Sequence, residues 1–186
     1  KMESLMDNKA NSIVLGGGCF WCIEAVYDLV PGVEQVISGY SGGQQDNPTY
    51  EAVCTGLTGH AEVVEVFFDS QVIGIKKILE IFFSIHDPTT LNRQGPDVGS
   101  QYRSVIFFKD EEQKEVAKQL IEEIDEKSSW PSPVVTELEP AGKFYVAEGY
   151  HQKYYERNGN APYCRIMIDP KIDKFKSNNL SHLINS

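Results

Sequence analysis

The sequence has no long apolar run, and its densest stretch of aliphatic and aromatic side chains covers only residues 78–85. A membrane-spanning helix needs about 20 consecutive apolar residues, so no membrane contact is expected. Residues 1–11 are polar and lack the apolar core of a signal peptide. We therefore expect a flexible N-terminal segment and a cytoplasmic protein. Because the chain begins at Lys1 and not at Met, an exported form stays open.

Positive charge is also scarce. The 186 residues include 17 Lys and Arg against 27 Asp and Glu, which gives a net charge of −10. This field repels a phosphate backbone and argues against nucleic acid as a partner. Since 41% of the residues are hydrophobic, the chain can bury a sizeable core. We see no internal repeat and no linker, so we expect one domain over residues 12–176 and a mobile tail over residues 177–186.

Cysteine is sparse too, because four in 186 residues are too few for a disulfide-based scaffold. Two of them, Cys19 and Cys22, form a C-x-x-C pair, a spacing typical of redox chemistry or metal binding. A zinc site needs two further ligands, and the other cysteines and histidines form no second pair. We therefore predict no metal, with a zinc-binding interaction domain as a rival hypothesis. The glycine–lysine pattern of a phosphate-binding loop is missing as well.

Hydrophobic periodicity predicts short strands that alternate with helices. Residues 75–85 place apolar side chains at helical spacing, and Asp110 with Gln113 forms a capping box before a further helix. The predicted strands cover residues 11–15, 33–40, 60–68, 104–108 and 134–138, and the predicted helices cover residues 19–29 and 75–85 and a segment after residue 110. This order indicates an α+β fold in which helices pack on a mixed sheet.

The most informative stretch is the three glycines at positions 16–18, which join a predicted strand to a helix that begins at Cys19. A helix N-terminus carries partial positive charge and free N–H groups, which stabilise a thiolate. Cys22 lies three residues further on the same helical face, with its Cβ about 5–6 Å from that of Cys19. A disulfide needs about 3.8 Å, so pairing requires slight distortion. Cys19 is the candidate nucleophile, and Cys22 is either its partner or a buried cysteine of the helix face.

Other side chains suit acid–base chemistry but also have ordinary interpretations. Glu62 lies beside an apolar run, where a carboxyl keeps its proton to higher pH and can act as a general acid. A solvated, outward-facing Glu62 is slightly favoured by the sequence alone. Tyr50 and Tyr102 offer phenol donors, although most such tyrosines are packing residues. Asp97 and Arg103 flank a loop, where an ion pair or a loop brace is the default interpretation.

These segments together resemble the A-type peptide methionine sulfoxide reductases, a family specific for the S epimer of the sulfoxide. The resemblance runs from about Val14 to Phe175. It rests on GCFW at 18–21, GYSGG at 39–43, NPTY at 47–50, TGHAEV at 58–63, HDPT at 86–89, RQG at 93–95, GSQYRS at 99–104 and YHQ at 150–152. Each motif is weak alone, and their common order and spacing make the resemblance specific.

The resemblance implies a two-layer sandwich with a ferredoxin-like mixed sheet, packed helices and long loops. It also implies that Cys19 attacks the sulfoxide sulfur and that Glu62 protonates the oxygen. Tyr50 and Tyr102 would hydrogen-bond that oxygen, and Asp97 would order the polar side of the site. The implied substrate-binding residues are Phe20, Trp21 and His151, of which the first two would form the pocket for the methyl group.

In this family the nucleophile is left as a sulfenic acid, which a second thiol converts to a disulfide. Cys164, after a turn that contains glycine and proline, is the favoured resolving cysteine, with Cys22 as a competitor or relay. Cys54 is predicted to lie buried and inert in a strand. The implied electron source is thioredoxin or a small dithiol, so no cofactor is expected. The implied substrates are oxidised proteins or free methionine sulfoxide, and a monomer is expected. A general thiol–disulfide oxidoreductase that uses Cys19 and Cys22 is the alternative.

Overall fold

The structure is a computed structural model that describes residues 11–180, with side chains through residue 178. The predicted flexible segment before Asn11 and the last six residues of the predicted tail lie outside the described residues. The strands are β1 (Ser12–Gly16), β2 (Val33–Ser41), β3 (Ala61–Phe68), β4 (Arg93–Gln94), β5 (Asp97–Val98), β6 (Val105–Phe108), β7 (Glu137–Pro140) and β8 (Phe144–Val146). The α-helices are α1 (Phe20–Tyr27), α2 (Tyr50–Cys54), α3 (Ile75–Ile85), α4 (Glu111–Glu126), α5 (Tyr154–Asn158) and α6 (Asp169–Phe175).

Six strands form one sheet in the order β7-β6-β1-β3-β2-β8, and β4 pairs with β5 separately. The β6–β7 pair is parallel and the other pairs of the large sheet are antiparallel. Its four inner strands, with α1 after β1 and α3 after β3, form the β-α-β-β-α-β arrangement of ferredoxin-like folds. The predicted α+β class with a mixed sheet is therefore confirmed.

The sheet carries its main core on the face covered by helices. β1 is buried at all five positions, and α3 buries an apolar face that includes Ile78, Leu79 and Phe82, each 0% exposed. Helices α1, α3, α4 and α6 pack on one another over this face. A smaller cluster around Val63 and Phe107 lies apart from this core. No helix within residues 11–180 is both long and apolar enough to cross a membrane.

The register of β1 against β3 determines where the chemistry-bearing residues meet. Leu15 pairs with Val64, so the end of β1 lies beside the beginning of β3. The glycine turn after β1 therefore lies next to Glu62, which is the second residue of β3. Gly16 also pairs with Val105, which brings the loop before β6 to the same edge of the sheet.

Two predictions of local structure need correction. Cys54 does not lie buried in a strand: it is the exposed last residue of the short helix α2, whose first turn is capped by the Thr49 side chain. The polar cap and the following Gly56 favour a single helical turn over an extended chain. The late strand also begins at Glu137, three residues after the predicted start at Val134. Its pairing with β6, which is remote in sequence, determines this start.

The glycine turn is packed so closely that Gly17 has no room for a side chain. A Cβ at Gly17 would lie 2.8 Å from Cδ2 of the His86 ring. That ring cannot easily shift, because its nitrogens lie 2.6 Å from the Phe82 carbonyl oxygen and 2.8 Å from Ser104 Oγ. Burial lowers the pKa of His86 to about 4, so the imidazole is neutral. The turn before Cys19 is thus supported by a fixed, uncharged ring.

We expect Gly17→Ala to lower the free energy of unfolding by about 1–3 kcal/mol, the usual cost of overpacking a core. Urea unfolding followed by circular dichroism measures this change. Gly142→Ala is the matched control, since a Cβ there meets nothing within 4 Å among the described residues. Equal stability of the two variants would contradict the close approach of His86 to the turn.

Candidate active site

The two cysteines of the C-x-x-C pair lie at the beginning of α1. Cys19 is the N-cap residue with extended backbone angles (φ −64°, ψ 129°), and the Cys22 N–H donates to its carbonyl oxygen over 3.1 Å. The helix therefore begins one residue later than predicted, and Cys19 has the terminal position that favours a thiolate. All four cysteines of the chain are free thiols, and Cys19 and Cys22 are 9% and 4% exposed.

The thiols of Cys19 and Cys22 lie close enough together for each to change the pKa of the other. The Cys19 thiol lowers the pKa of Cys22 to about 7, despite burial. Burial, in contrast, raises the pKa of the Cys19 thiol, with further contributions from Cys22 and the negative charge of Glu62. The pair therefore shares one proton near neutral pH, and a shift of that proton to Cys22 leaves Cys19 as the thiolate.

Glu62 is buried, with 1% of its surface exposed, so the interpretation as a solvated strand residue is wrong. One carboxyl oxygen accepts a hydrogen bond from the Phe20 N–H over 3.2 Å. The other oxygen is buried and has no hydrogen-bond partner in the described part of the chain. Burial raises the pKa of Glu62 to about 8. A protonated carboxyl with one unpartnered oxygen thus lies beside the thiol pair.

Tyr50 and Tyr102 approach this carboxyl from two different loops. Tyr50 begins α2, where its N–H donates to Glu148 over 2.9 Å. Tyr102 ends the 3₁₀ turn Ser100–Tyr102, and its carbonyl oxygen accepts from the Gly18 N–H over 3.1 Å. Burial, and then the nearby charge of Glu62, raise the pKa of both phenols. Both hydroxyls therefore stay protonated and can donate hydrogen bonds.

Asp97 reaches the thiol pair through Tyr163, to which the sequence analysis assigned no role. The Tyr163 hydroxyl donates to Asp97 Oδ2 over 3.0 Å and lies 3.7 Å from Cys22 Sγ. Arg103 does not pair with Asp97: its Nε forms an ion pair with Glu137 over 2.9 Å. Arg103 also donates to two loop carbonyls, so the loop-brace interpretation describes it, while its ion pair is with Glu137 and not with Asp97.

Aromatic rings form one wall of the site. Trp21 is half-buried and stacks on Tyr154, with ring centroids 3.6 Å apart and planes 6° apart. Its indole N–H donates to His151 Nδ1 over 3.0 Å. Phe20 is fully buried and lies 5.0 Å, centroid to centroid, from His151, which contacts Tyr50 at 4.4 Å. The structure therefore brings the three predicted substrate-binding residues together beside Cys19.

The remaining cysteines differ in their settings. Cys164 is 0% exposed and begins the π-helical segment Cys164–Ile168, close enough to Cys22 for a thiolate there to raise its pKa. Its predicted mobile setting is thus a packed helical one. Cys54 is exposed, and partial burial of its thiol raises its pKa, which the nearby Tyr50 side chain opposes. Within residues 11–180, no three His, Cys, Asp or Glu side chains are grouped so that they could hold a metal ion.

Sequence reasoning missed Glu148 and took Tyr154 and Tyr163, two of a cluster of possible phenol donors, as packing residues and not as parts of the site. Glu148 accepts hydrogen bonds from the Tyr40 hydroxyl and the Tyr50 N–H, and so joins β2 to α2. Proximity to Cys164 was a signal for Tyr163. For the other two, the aromatic-rich sequence around residues 145–155 indicated packing but not which partners would be met.

A buried thiol pair at a helix N-terminus, a protonated carboxyl and two phenol donors define a thiol-dependent oxidoreductase. The peptide methionine sulfoxide reductase family model matches residues 11–183. The peptide methionine sulfoxide reductase MsrA of Saccharolobus solfataricus is 58% identical over 161 residues, which cover 87% of this chain and 90% of that protein. The chain belongs to this family, in its A type, and is an oxidoreductase that reduces methionine sulfoxide.

Solved structures agree with this assignment. Mxr1 from Saccharomyces cerevisiae in its reduced form is similar with a TM-score of 0.77 and 38% identity, covering 82% of this chain and 88% of that chain. Methionine sulfoxide reductase A of Corynebacterium diphtheriae has a TM-score of 0.72 and 33% identity, covering 83% and 78%. Mxr1 in complex with Trx2 has a TM-score of 0.54 and 27% identity, covering 77% and 83%.

Proposed function

We propose that this enzyme reduces the S epimer of methionine sulfoxide through the Cys19 thiolate, with Glu62 as general acid. The observation that carries the proposal is the buried Glu62 carboxyl, which keeps a proton at neutral pH and has an unpartnered oxygen beside the thiol pair. A thiol-exchange enzyme has no need of such an acid, whereas a sulfoxide oxygen must be protonated before it can leave sulfur.

In the first step the Cys19 thiolate attacks the sulfoxide sulfur while Glu62 donates its proton to the sulfoxide oxygen. The oxygen, now a hydroxyl, is transferred to Cys19, and methionine leaves. Sulfur of the substrate is reduced by two electrons, and Cys19 is oxidised to a sulfenic acid. The protonated state of Glu62 also favours the thiolate, because a charged Glu62 raises the pKa of Cys19.

The other site residues bind and orient the substrate in this proposal. Tyr50 and Tyr102 donate hydrogen bonds to the oxygen as negative charge develops on it. Phe20 and Trp21 provide apolar surface for the methyl group, and His151 holds the Trp21 indole. Asp97 acts through Tyr163, which it holds against Cys22.

We assign the first resolving step to Cys22, ahead of Cys164, which the sequence favours. Cys22 lies beside Cys19 and its pKa is lowered, so it readily gives up the proton that it received when Cys19 became the thiolate. Its attack forms the Cys19–Cys22 disulfide, and that proton leaves with the sulfenic oxygen as water. Cys164 then attacks Cys22, which forms the Cys22–Cys164 disulfide and frees the Cys19 thiolate. The lowered pKa of Cys22 makes it a good leaving group in later exchange.

A dithiol reductant of the thioredoxin type completes the cycle, because thiol–disulfide exchange needs no bound cofactor. The similarity to Mxr1, whose structure with Trx2 is known, supports thioredoxin as this partner. The substrates are the sulfoxides of methionine, free or in oxidised proteins.

Mass spectrometry after one equivalent of S-configured methionine sulfoxide, without reductant, tests the proposal. We expect one equivalent of methionine and a new disulfide at Cys19, and peptide mapping should show Cys22 as its first partner. The R-configured sulfoxide is the matched control and should give no product. If the S epimer gave no product and no change at Cys19, the proposal would be wrong and general thiol–disulfide exchange would be favoured.

Replacing each of the two resolving cysteines by serine should give different reaction products. Cys22→Ser should release one equivalent of methionine and keep a sulfenic acid on Cys19 that dimedone traps. Cys164→Ser should release the same equivalent, form the Cys19–Cys22 disulfide and lose recycling by thioredoxin. Quenched-flow product analysis with peptide mapping measures both results. Rapid disulfide formation in Cys22→Ser would instead make Cys164 the direct resolving thiol.

A further inference from the structure

Helix α1 carries an acid that the reaction described above does not use. Glu24 is 1% exposed, and its Oε2 atom has no hydrogen-bond partner anywhere in the described chain. It is the only charged residue of the helix FWCIEAVY, whose other side chains are apolar, aromatic or thiol. Burial of a carboxyl in such a helix costs free energy, which indicates that its contacts have a structural role.

The contacts of Glu24 lead to one segment of chain. Helix α1 packs on α5, and the backbone N–H groups of Lys153 and Tyr154 lie close enough to the Glu24 carboxyl to oppose the rise of its pKa that burial causes. They lie where the chain turns into α5 with Lys153 in the left-handed region (φ 54°). One helical turn further along α1, Asp28 Oδ1 lies 2.5 Å from Lys153 Nζ. Glu24 and the C-cap residue of α1, Asp28, thus both hold the beginning of α5.

This anchored segment is the support of the Trp21 ring. Tyr154 stacks on the indole at 3.6 Å, and His151 accepts its N–H. Trp21 itself is one helical turn before Glu24 on α1. The same helix therefore holds the aromatic ring of the site and, through Glu24, the backbone that carries its stacking partner.

We propose that Glu24 is a positioning residue for the methyl pocket: its carboxyl fixes the backbone at Lys153 and Tyr154, and so keeps Tyr154 stacked on Trp21. The inference rests on the proposed role of Trp21 in substrate binding. Glu24 touches no reacting atom, so its loss weakens binding of the substrate and of the transition state alike.

The test uses the full chain in a Trp130→Phe background, which leaves Trp21 as the single tryptophan. Glu24→Gln should shift the fluorescence of Trp21, because the stacked Tyr154 ring is displaced. In single-turnover reduction of methionine S-sulfoxide, half-saturation should move to about tenfold higher concentration. The limiting rate should stay within about twofold, which a general loss of packing around Cys19 would not allow.

Glu156→Gln is the matched control, since it makes the same change of charge on an exposed residue of α5. It should leave fluorescence and half-saturation as in the background protein. Tyr154→Leu removes the stacked ring directly and should reproduce both effects of Glu24→Gln. The double variant should be no worse than either single variant, because the two residues act along one path. Tyr154→Leu also keeps the inference testable if Glu24→Gln does not fold.

Unchanged Trp21 fluorescence in folded Glu24→Gln would overturn the anchoring role. A fluorescence shift with unchanged half-saturation would also overturn the inference, because it would show that the stacking of Trp21 does not affect substrate binding. In that case the role of Trp21 in the proposed function would be wrong. A fall in limiting rate with unchanged half-saturation would overturn it as well, because it would place Glu24 in the chemical step. The proposed nucleophile and acid are tested separately by their own variants.

Discussion

Cys19→Ser is expected to abolish turnover, with a residual rate at least about a thousandfold below that of the unmodified enzyme. A serine hydroxyl is not ionised at neutral pH and cannot reduce a sulfoxide. Cys22 cannot replace the lost thiol, because it is 4% exposed and packed between Cys19 and the Tyr163 hydroxyl. Methionine release by quenched flow, in one turnover without reductant, measures the loss directly.

The controls for this variant are the two other cysteines of the relay. Cys22→Ser and Cys164→Ser should each still release one equivalent of methionine, since the proposed mechanism uses both thiols only after the sulfoxide has been reduced. Circular dichroism should show that Cys19→Ser is folded. A full burst from folded Cys19→Ser would remove Cys19 from the first step and assign the attack to another thiol.

Glu62→Gln is expected to slow the first turnover by about a hundredfold to a thousandfold, the range typical of a lost general acid. Glutamine has nearly the same shape and can still accept from the Phe20 N–H, but it cannot give a proton to the sulfoxide oxygen. Binding should change little, so the effect should appear in the limiting rate. Glu65→Gln, on the same strand and hydrogen-bonded to Ser12, is the matched control.

The pH dependence of the first turnover separates this acid from the thiol pair. Activity should rise as the thiol pair loses the first of its two protons near pH 7 and fall again as Glu62 loses its proton near pH 8. The fall on the alkaline side should be absent in Glu62→Gln. A variant with the same alkaline limb as the unmodified enzyme would show that another group titrates there.

The free energy of unfolding should depend on the same titration of Glu62. Burial raises the pKa of Glu62 from 4.5 to about 8 in the folded chain, so the folded state holds a proton that the unfolded state has lost. Its contribution to stability is complete below about pH 4.5 and is lost as the pH rises through about 8. Glu62→Gln does not titrate, so it should gain stability relative to the unmodified protein over that interval. Urea unfolding at pH 5, 7 and 9 measures the difference.

The part of the site around Cys19 was predictable because its residues are adjacent in sequence. Three glycines, a cysteine and a helix start lie within seven residues, and the helix N-terminus itself stabilises a thiolate at Cys19. Helices α3 and α4 were predictable for the same reason, since periodic apolar side chains and the Asp110 cap lie along one short segment. The roles of Tyr50, Tyr102 and Asp97 came from resemblance alone.

The parts that were not predictable depend on contacts between distant segments. Glu62 looked solvated because a strand sequence does not say which neighbours cover it. The pairing of Leu15 with Val64 places the Glu62 carboxyl at the beginning of α1, where it accepts a hydrogen bond from the Phe20 N–H. Cys54, exposed on a helical turn, and Cys164, buried in a helical segment, were misjudged because burial depends on what packs against a residue.

The sequence by itself determined that this is an α+β chain with a redox-active cysteine at a glycine turn, because turns, caps and periodicity act over a few residues. Only the tertiary structure decided which acid keeps its proton. A pKa depends on burial and on neighbouring charges, and for Glu62 those come from segments far away along the chain.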